Sequence, residues 1–255
     1  MIRLVFALRR SPSLTREDFQ AYWKNTHAPL VAELSKDLDI LRYVQTHTVD
    51  EAKEARKARG EMEPPYDGVA ELWWSDETKL EEIFGTKAGQ LAGKLLLEDE
   101  TRFIDLANSP IWFAHEYPQI NPSPEEILAE PDNGIIKVFF PLRQKSLLAE
   151  SEARHYWLTH HGPIVRAKGN EAGILCYRQI HRANSKTDIM LQKSRGTRVS
   201  SYLGHAEAWV DRNGITSAEA AEAANKAFIS DEMNFIDMKR STIFYGNEYS
   251  VIDNR

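Results

Sequence analysis

The sequence predicts an α+β protein made of two tandem βαββαβ units whose sheets pack face to face, and three observations predict it. The first is an internal repeat: YWKNTHAPLV at 22–31 recurs as YWLTHHGPIV at 156–165. Setting His27 on His161, an offset of 134 residues, also carries Arg9 to Arg143, Trp23 to Trp157 and Pro29 to Pro163. The same offset carries Tyr43, Gln45 and His47 to Tyr177, Gln179 and His181, and AELW at 70–73 and FID at 103–105 recur nearby as AEAW at 206–209 and FID at 235–237. The second is that apolar spacing alternates between strand and helix periods in the same order in both copies. The third is PQINPSPEEILAEPDN at 118–133, whose four prolines read as a linker. The units accordingly span 1–120 and 134–255, joined by 121–133.

Each element follows in order. MIRLVFAL and GIIKVFFPL are short apolar strands. Thr15 with Asp18 resembles a capping box, and Phe19, Trp23 and Leu30 follow at helical spacing. Pro29 and Pro163 cannot donate to the carbonyls of Asn25 and Thr159, so the first helix of each copy is expected to kink or restart beside His27 and His161. ILRYVQTHTV and ILCYRQIHRA are strands, as are YDGVAELWW and SYLGHAEAWV beyond long polar loops. Thr216 with Glu219 caps a later helix whose stripe is Ala220, Ala223, Ala224 and Phe228. IWFAHEY and IFYGNEY close the copies. The order βαββαβ gives a ferredoxin-like unit with both helices on one sheet face. Two bare faces in one chain can cover each other, giving an intramolecular two-sheet barrel.

Composition narrows the function classes. The 255 residues are 42% hydrophobic and 27% charged, a folded chain without low-complexity tracts. A net charge of −6 leaves no basic excess for phosphates, so no nucleic-acid partner is expected. MIRLVFALRR is too short and wrongly flanked for a signal peptide, and no 18-residue apolar stretch follows, so the expectation is a cytoplasmic protein with no membrane partner. The single Cys176 reads as a buried core thiol. No HExxH, paired cysteines, glycine-rich nucleotide loop, GxSxG or P-loop occurs, so neither metal nor cofactor is expected.

The pattern Phe19…Tyr22-Trp23…His27-x-Pro29-Leu30, then Tyr43-Val44-Gln45…His47, Tyr66-Asp67-Gly68-Val69-Ala70-Glu71 and Asp99-Glu100…Phe103-Ile104-Asp105, resembles the EthD family of dimeric α+β barrel proteins across almost the whole chain. The resemblance implies ferredoxin-like units paired into a barrel, with pockets between sheet and helices. It also implies a range of activities: cofactor-free enzymes acting on aromatic or polyketide substrates, dehydratases and decarboxylases among them, and in the wider superfamily haem enzymes, monooxygenases and isomerases. The second copy departs from the pattern: Leu203 stands where Asp67 does, Asn247 replaces His115 and Ala153 replaces Phe19, while His160 and His205 have no histidine counterpart.

His27 and His161 are the candidate proton-transfer groups, because an imidazole titrates near neutrality; the alternative is a histidine that only ties the turn together. Tyr43, Gln45 and His47 share one strand face, as do Tyr177, Gln179 and His181. Each row can orient a phenolic or carboxylate substrate or form a hydrogen-bonded lining, and alternation does not say which face it takes. Glu71 and Glu207, with Asp67 on the face of Glu71, can hold a histidine tautomer, act as base, or pair with Arg9 or Arg143. Trp23 and Trp157 are core residues that can also wall a pocket. The loops 50–65 and 182–200 are long enough to act as lids, the first as a solvated helical turn or two and the second carrying Arg182, Lys186, Lys193, Arg195 and Arg198.

The leading expectation is a cofactor-independent lyase acting on a hydroxylated aromatic compound by dehydration, decarboxylation or loss of a one-carbon aldehyde. In it His27, His161, Tyr43, Tyr177, Glu71 and Glu207 are catalytic, and Gln45, Gln179, His47, His181, Asp67, Trp23, Trp157 and Arg143 bind substrate. The alternatives are a non-catalytic small-molecule binding protein and a haem enzyme of the same superfamily. A homodimer of two-unit chains is a further expectation.

Overall fold

The computed structural model describes residues 1–123 and 126–255. Strands β1 (Ile2–Leu8), β2 (Arg42–Asp50), β3 (Gly68–Trp74) and β4 (Ile111–Ile120) belong to the first unit, and β5 (Ile135–Leu142), β6 (Ile174–Arg182), β7 (Gly204–Asp211) and β8 (Phe244–Asp253) to the second. They close one antiparallel barrel in the order β1-β3-β2-β8-β5-β7-β6-β4. The expected α+β barrel of two tandem ferredoxin-like units is therefore the observed fold.

Closure comes from the last strand of each unit, which is long enough to serve both sheets. β4 pairs with β1 through Ile111–Ala114 and then with β6 of the other unit through Ala114–Ile120. β8 pairs in the same way with β5 and then with β2. Among the described residues no strand edge is left for a foreign chain, the usual hazard of an open sheet. The proline-rich segment is more than a tether: Ala129 is buried beside Cys176 and Trp209, and its backbone exchanges hydrogen bonds with Glu248. Burial pushes the Cys176 thiol up to about 12, in keeping with an inert core thiol.

Helices α1 (Arg16–Tyr22) and α2 (Ala28–Leu34), α4 (Glu77–Gly85) and α5 (Lys87–Glu100) cover the outer face of the first sheet. α6 (Glu150–Tyr156), α7 (Gly162–Lys168) and α9 (Ala218–Phe235) cover that of the second. α3 (Lys53–Arg59) and α8 (Lys186–Arg195) lie in the two long loops. Thr15 caps α1 as expected, accepting from Asp18 N and donating to its carboxylate. α9 begins one residue later than the sequence suggests: Ser217, not Thr216, is the cap, because it is the Ser217 hydroxyl that reaches the free N–H of Ala220, at 3.2 Å.

The interruption expected beside the prolines takes the form of a π turn. Trp23–His27 and Trp157–His161 form single π-helical turns, in which Ala28 N donates to Trp23 O and Gly162 N to Trp157 O. The wider turn absorbs one extra residue, so the helix runs through to the proline instead of stopping. The carbonyls of Trp23 and Trp157, which take those backbone N–H groups, accept a second hydrogen bond each from Gln45 and Gln179 on the sheet.

Candidate functional site

Two cavities lie outside the barrel, one in each unit, between sheet and helices. The first is about 340 Å³ and is bounded by Leu4, Phe6, Leu8, Trp23, Trp74 and Phe84, with His27 and Tyr43 in its wall. The second is about 260 Å³, with Trp157, His161 and Tyr177 in corresponding places.

Each cavity holds the same polar unit. Nδ1 of His27 stands 2.8 Å from Asp99 Oδ2, and Tyr22 OH donates to Asp99 Oδ1 at 2.6 Å. His161 meets Asp231 at 2.8 Å, and Tyr156 OH donates to Asp231 at 2.8 Å. With Nδ1 so engaged, Nε2 is the ring nitrogen left for chemistry. The hydrogen bond from His27, then that from Tyr22, holds the Asp99 carboxyl below its ordinary value despite partial burial. Burial raises that of Asp231, but the bonds from His161 and Tyr156 prevail and lower it.

The row Tyr43, Gln45 and His47 faces the helices, yet only Tyr43 reaches the cavity. Its hydroxyl accepts from Trp23 Nε1 at 3.0 Å and from Gln45 Nε2 at 2.8 Å. Gln45 Oε1 meets His47 Nε2 at 2.9 Å, and His47 stacks flat on Trp23 with ring centroids 4.5 Å apart. Tyr177, Gln179 and His181 repeat the arrangement, with Trp157 Nε1 donating to Tyr177 at 3.1 Å and His181 stacked on Trp157. Gln45, His47, Gln179 and His181, expected against substrate, instead lie behind the tryptophans and lock them to the sheet. The close approach is possible because residue 68 is glycine: a Cβ there would meet Trp23 Cζ3 at 2.5 Å. Burial pushes both His47 and His181 down to about 3, so they stay neutral. Burial raises the Tyr43 and Tyr177 phenols, which stay protonated.

Glu71 and Glu207 are elsewhere, on the inward face of the barrel. Arg3 reaches Glu71 at 2.9 Å and Glu207 at 3.1 Å, while Lys137 reaches Glu71 at 2.6 Å and both Glu207 and Glu248 at 3.0 Å. They hold neither His27 nor His161, and their partners are not Arg9 or Arg143; Glu207 meets His205 instead, at 3.1 Å. Two cations face three carboxylates, and burial together with the neighbouring Glu207 pushes the Glu71 carboxyl up. Burial raises that of Glu207 too, but Arg3 and Lys137 outweigh it and hold it well below the usual range. Among the described residues, Glu71, His205 and Glu207 bring three donor atoms within 4.8 Å of one another. Arg3 and Lys137 already occupy those carboxylates, so a metal ion does not fit there without displacing them.

Asp67, buried immediately before β3, is bonded to Arg10 and Arg16. Arg143 lies over Tyr202 and donates to the carbonyls of Ser200 and Ser201, mirroring Arg9 over Tyr66. Neither lines the two sheet–helix cavities; Asp67 borders a separate surface pocket with Arg9 and Arg10.

The loops do cover the cavities, but each covers the other unit's. α8 of the second unit places Met190, Leu191, Ser194 and Arg195 on the first cavity. α3 of the first unit, which the sequence presents as solvated, places Ala55 and Arg59 on the second. Each arginine ends its helix just before a glycine with positive φ, Gly60 at 86° and Gly196 at 65°, and meets a buried glutamate of the opposite unit: Arg195 with Glu100, Arg59 with Glu232. The sequence carried a signal for the missed acids. Asp99-Glu100 and Asp231-Glu232 both stand four residues before FID, a DExxFID repeat at an offset of 132 residues.

The barrel built from two such units defines the fold class, and comparison gives the family. The model for the EthD domain matches residues 11–107 and 145–239, so the chain belongs to the EthD family, twice over. Among solved structures, a Fusobacterium nucleatum protein provisionally designated a monooxygenase aligns with TM-score 0.50 at 8% identity, over 97% of this chain and 91% of its own. A protein provisionally designated a chlorite dismutase aligns with TM-score 0.50 at 10% identity, over 98% and 95% of the two chains. At such identities the likeness is one of fold. Comparison with curated protein sequences gives no match. Among the described residues no helix is long and apolar enough to cross a membrane.

Proposed function

We propose that the chain is a cofactor-independent lyase that acts on a hydroxylated aromatic compound by acid/base elimination: dehydration, decarboxylation or loss of a one-carbon aldehyde. The observation that carries this reading is the meeting, in one aromatic-walled cavity, of a carboxylate-oriented imidazole and a protonated phenol. His27 is the base and acid. Its Nε2 takes a proton from the substrate's side chain; the electron pair released forms the new double bond as the leaving group departs, and the imidazolium returns the proton to that group or to the product. Nothing is oxidised or reduced, and the substrate's own phenolic ring delocalises the charge. Tyr43 is the hydrogen-bond donor to a substrate oxygen, since its oxygen already accepts from Trp23 and Gln45 and has only its proton to offer. Asp99, not Glu71, fixes the tautomer. The apolar walls exclude water from the intermediate.

The test is turnover by the purified chain of 4-alkylphenols bearing hydroxylated or carboxylated side chains, with a chelator present and no metal, flavin or haem added. Product formation under those conditions supports the reading. Activity only after reconstitution with a cofactor overturns it, and tight binding without turnover replaces it with a small-molecule carrier.

A further inference from the structure

The two units are alike at the histidine, the tyrosines and the tryptophan, but they differ where the lids close. On the second cavity the closing pair is complete: Arg59 Nε meets Glu232 Oε2 at 2.7 Å and the neighbouring N–H donates to Oε1 at 2.7 Å, a two-pronged fork. On the first, Arg195 reaches Glu100 through one terminal nitrogen, at 2.8 Å from Oε1. Arg195 Nε and Glu100 Oε2 are buried and lack a hydrogen-bond partner among the described residues. Arg195 and Glu100 are 10% and 7% exposed, so bulk solvent barely reaches them and a group bound in the cavity can supply the missing contacts. Both residues line the first cavity, on the wall shared with Lys94, Leu96 and Ile104.

We propose that this half-made pair is the recognition site for the hydroxyl of a phenol, and that the first cavity, not the second, is the working one. An unpaired N–H beside an unpaired carboxylate oxygen calls for a group that both donates and accepts, which a neutral hydroxyl does. The phenol O–H donates to Glu100 Oε2 and its oxygen accepts from Arg195 Nε, with the ring among Trp23, Trp74 and Phe6. As charge develops on that oxygen during elimination, the guanidinium steadies it. The second cavity is smaller, and its arginine and glutamate are already satisfied by each other, so it lacks the corresponding demand. The proposal rests on the substrate class of the lyase reading and adds where the substrate's hydroxyl sits, in which unit, and that the lid of the second unit supplies half of the site.

Tryptophan-fluorescence or calorimetric titration of the purified full chain with 4-propylphenol and 4-propylanisole tests this without requiring turnover. The intact chain is expected to bind the phenol roughly tenfold or more tightly than its methyl ether, since the ether cannot donate to Glu100. Arg195→Met is expected to bring the two within about threefold and Glu100→Gln to narrow the gap, each leaving affinity for the ether little changed, which also reports an intact cavity. Should Arg195→Met not fold, Arg195→Lys keeps the charge, lacks the Nε donor and is expected to behave alike. Equal binding of phenol and ether by the intact chain, a preference that survives both substitutions, or one lost in Arg59→Met instead, overturns the proposal. A phenol preference that depends on Arg195 in a chain that turns over nothing supports it while removing the lyase reading.

Discussion

Asp99 accepts the Nδ1 proton of His27 across 2.8 Å, and this single contact decides which nitrogen of the imidazole is available. His27→Ala is therefore expected to lower turnover by about 10²–10⁴ with substrate affinity little changed. Asp99→Asn is expected to lower it in the same direction and by less, because the ring remains but its tautomer is no longer imposed. His161→Ala leaves turnover unchanged if the first cavity works alone. Single-turnover rates beside equilibrium titration separate the two quantities; His27→Ala with full activity contradicts the assignment.

Tyr43 is also a structural anchor. Tyr43→Phe removes an acceptor from two buried N–H groups, Trp23 Nε1 and Gln45 Nε2, at a cost of about 1–3 kcal/mol for each group left unpaired. Gln45 Nε2 and Gln179 Nε2 both donate to the tryptophan carbonyl, but the Tyr177 hydroxyl accepts its hydrogen bond from Trp157 Nε1, so Tyr177→Phe strands chiefly that group and is expected to cost less. Urea denaturation of the two variants provides the comparison, and equal losses would count against it.

Between pH 6.5 and about 4.5 the buried histidines should weaken the fold, partly offset by Glu71, whose carboxyl, raised by burial to about 8, takes up its proton first in the folded state. Burial lowers His47 and His181 to about 3, reinforced by Lys24 and Arg154 respectively, and lowers His205 to about 4 although Glu207 opposes it. Unfolded histidines take up protons near pH 6.5, so between that value and about 4 the unfolded chain binds more protons than the folded one. Stability then falls as pH falls, by up to about 1.4 kcal/mol per pH unit for each histidine. Asp99 and Asp231, whose folded values are depressed, add their loss only at lower pH. The urea midpoint measured from pH 7.5 to 4.5 is expected to decline, with a shallower slope in His181→Gln; a flat profile is the contrary result.

Neither unit has a complete sheet alone. Residues 1–120 lack β8 as the partner of β2, and their β4 projects Ala114–Ile120 with no β6 to receive it. The inward face, carrying Arg3, Glu71 and Trp112, would also meet water. Expressed alone, 1–120 is expected to self-associate or stay unfolded, and mixing with 134–255 to restore the barrel. Light scattering with circular dichroism reads both, and a stable folded monomer of 1–120 is the outcome against it.

Much of the site was legible because its parts repeat. The π-turn histidines, the Tyr-x-Gln-x-His rows and Pro29 with Pro163 recur at one offset, and the strand order follows from period and punctuation. What was misplaced was pairing. Glu71 and Glu207 look like partners for the histidines because they lie on the neighbouring strand, yet their side chains alternate to the opposite face and meet Arg3 and Lys137 inside the barrel. Asp99 and Asp231 sit at helix ends with only the repeated DExxFID to mark them.

The sequence by itself determined the duplication, the order of strands and helices, the barrel and the family, since periodicity and repetition are local properties of a chain. Only the tertiary structure decided which strand face turned inward, because an alternating pattern is unchanged when its two faces are exchanged. It alone also decided that Arg195 and Arg59 close each other's units, on glutamates 95 and 173 residues away. Such contacts depend on how two sheets lie against each other, a property of the assembled barrel that no short stretch of residues contains.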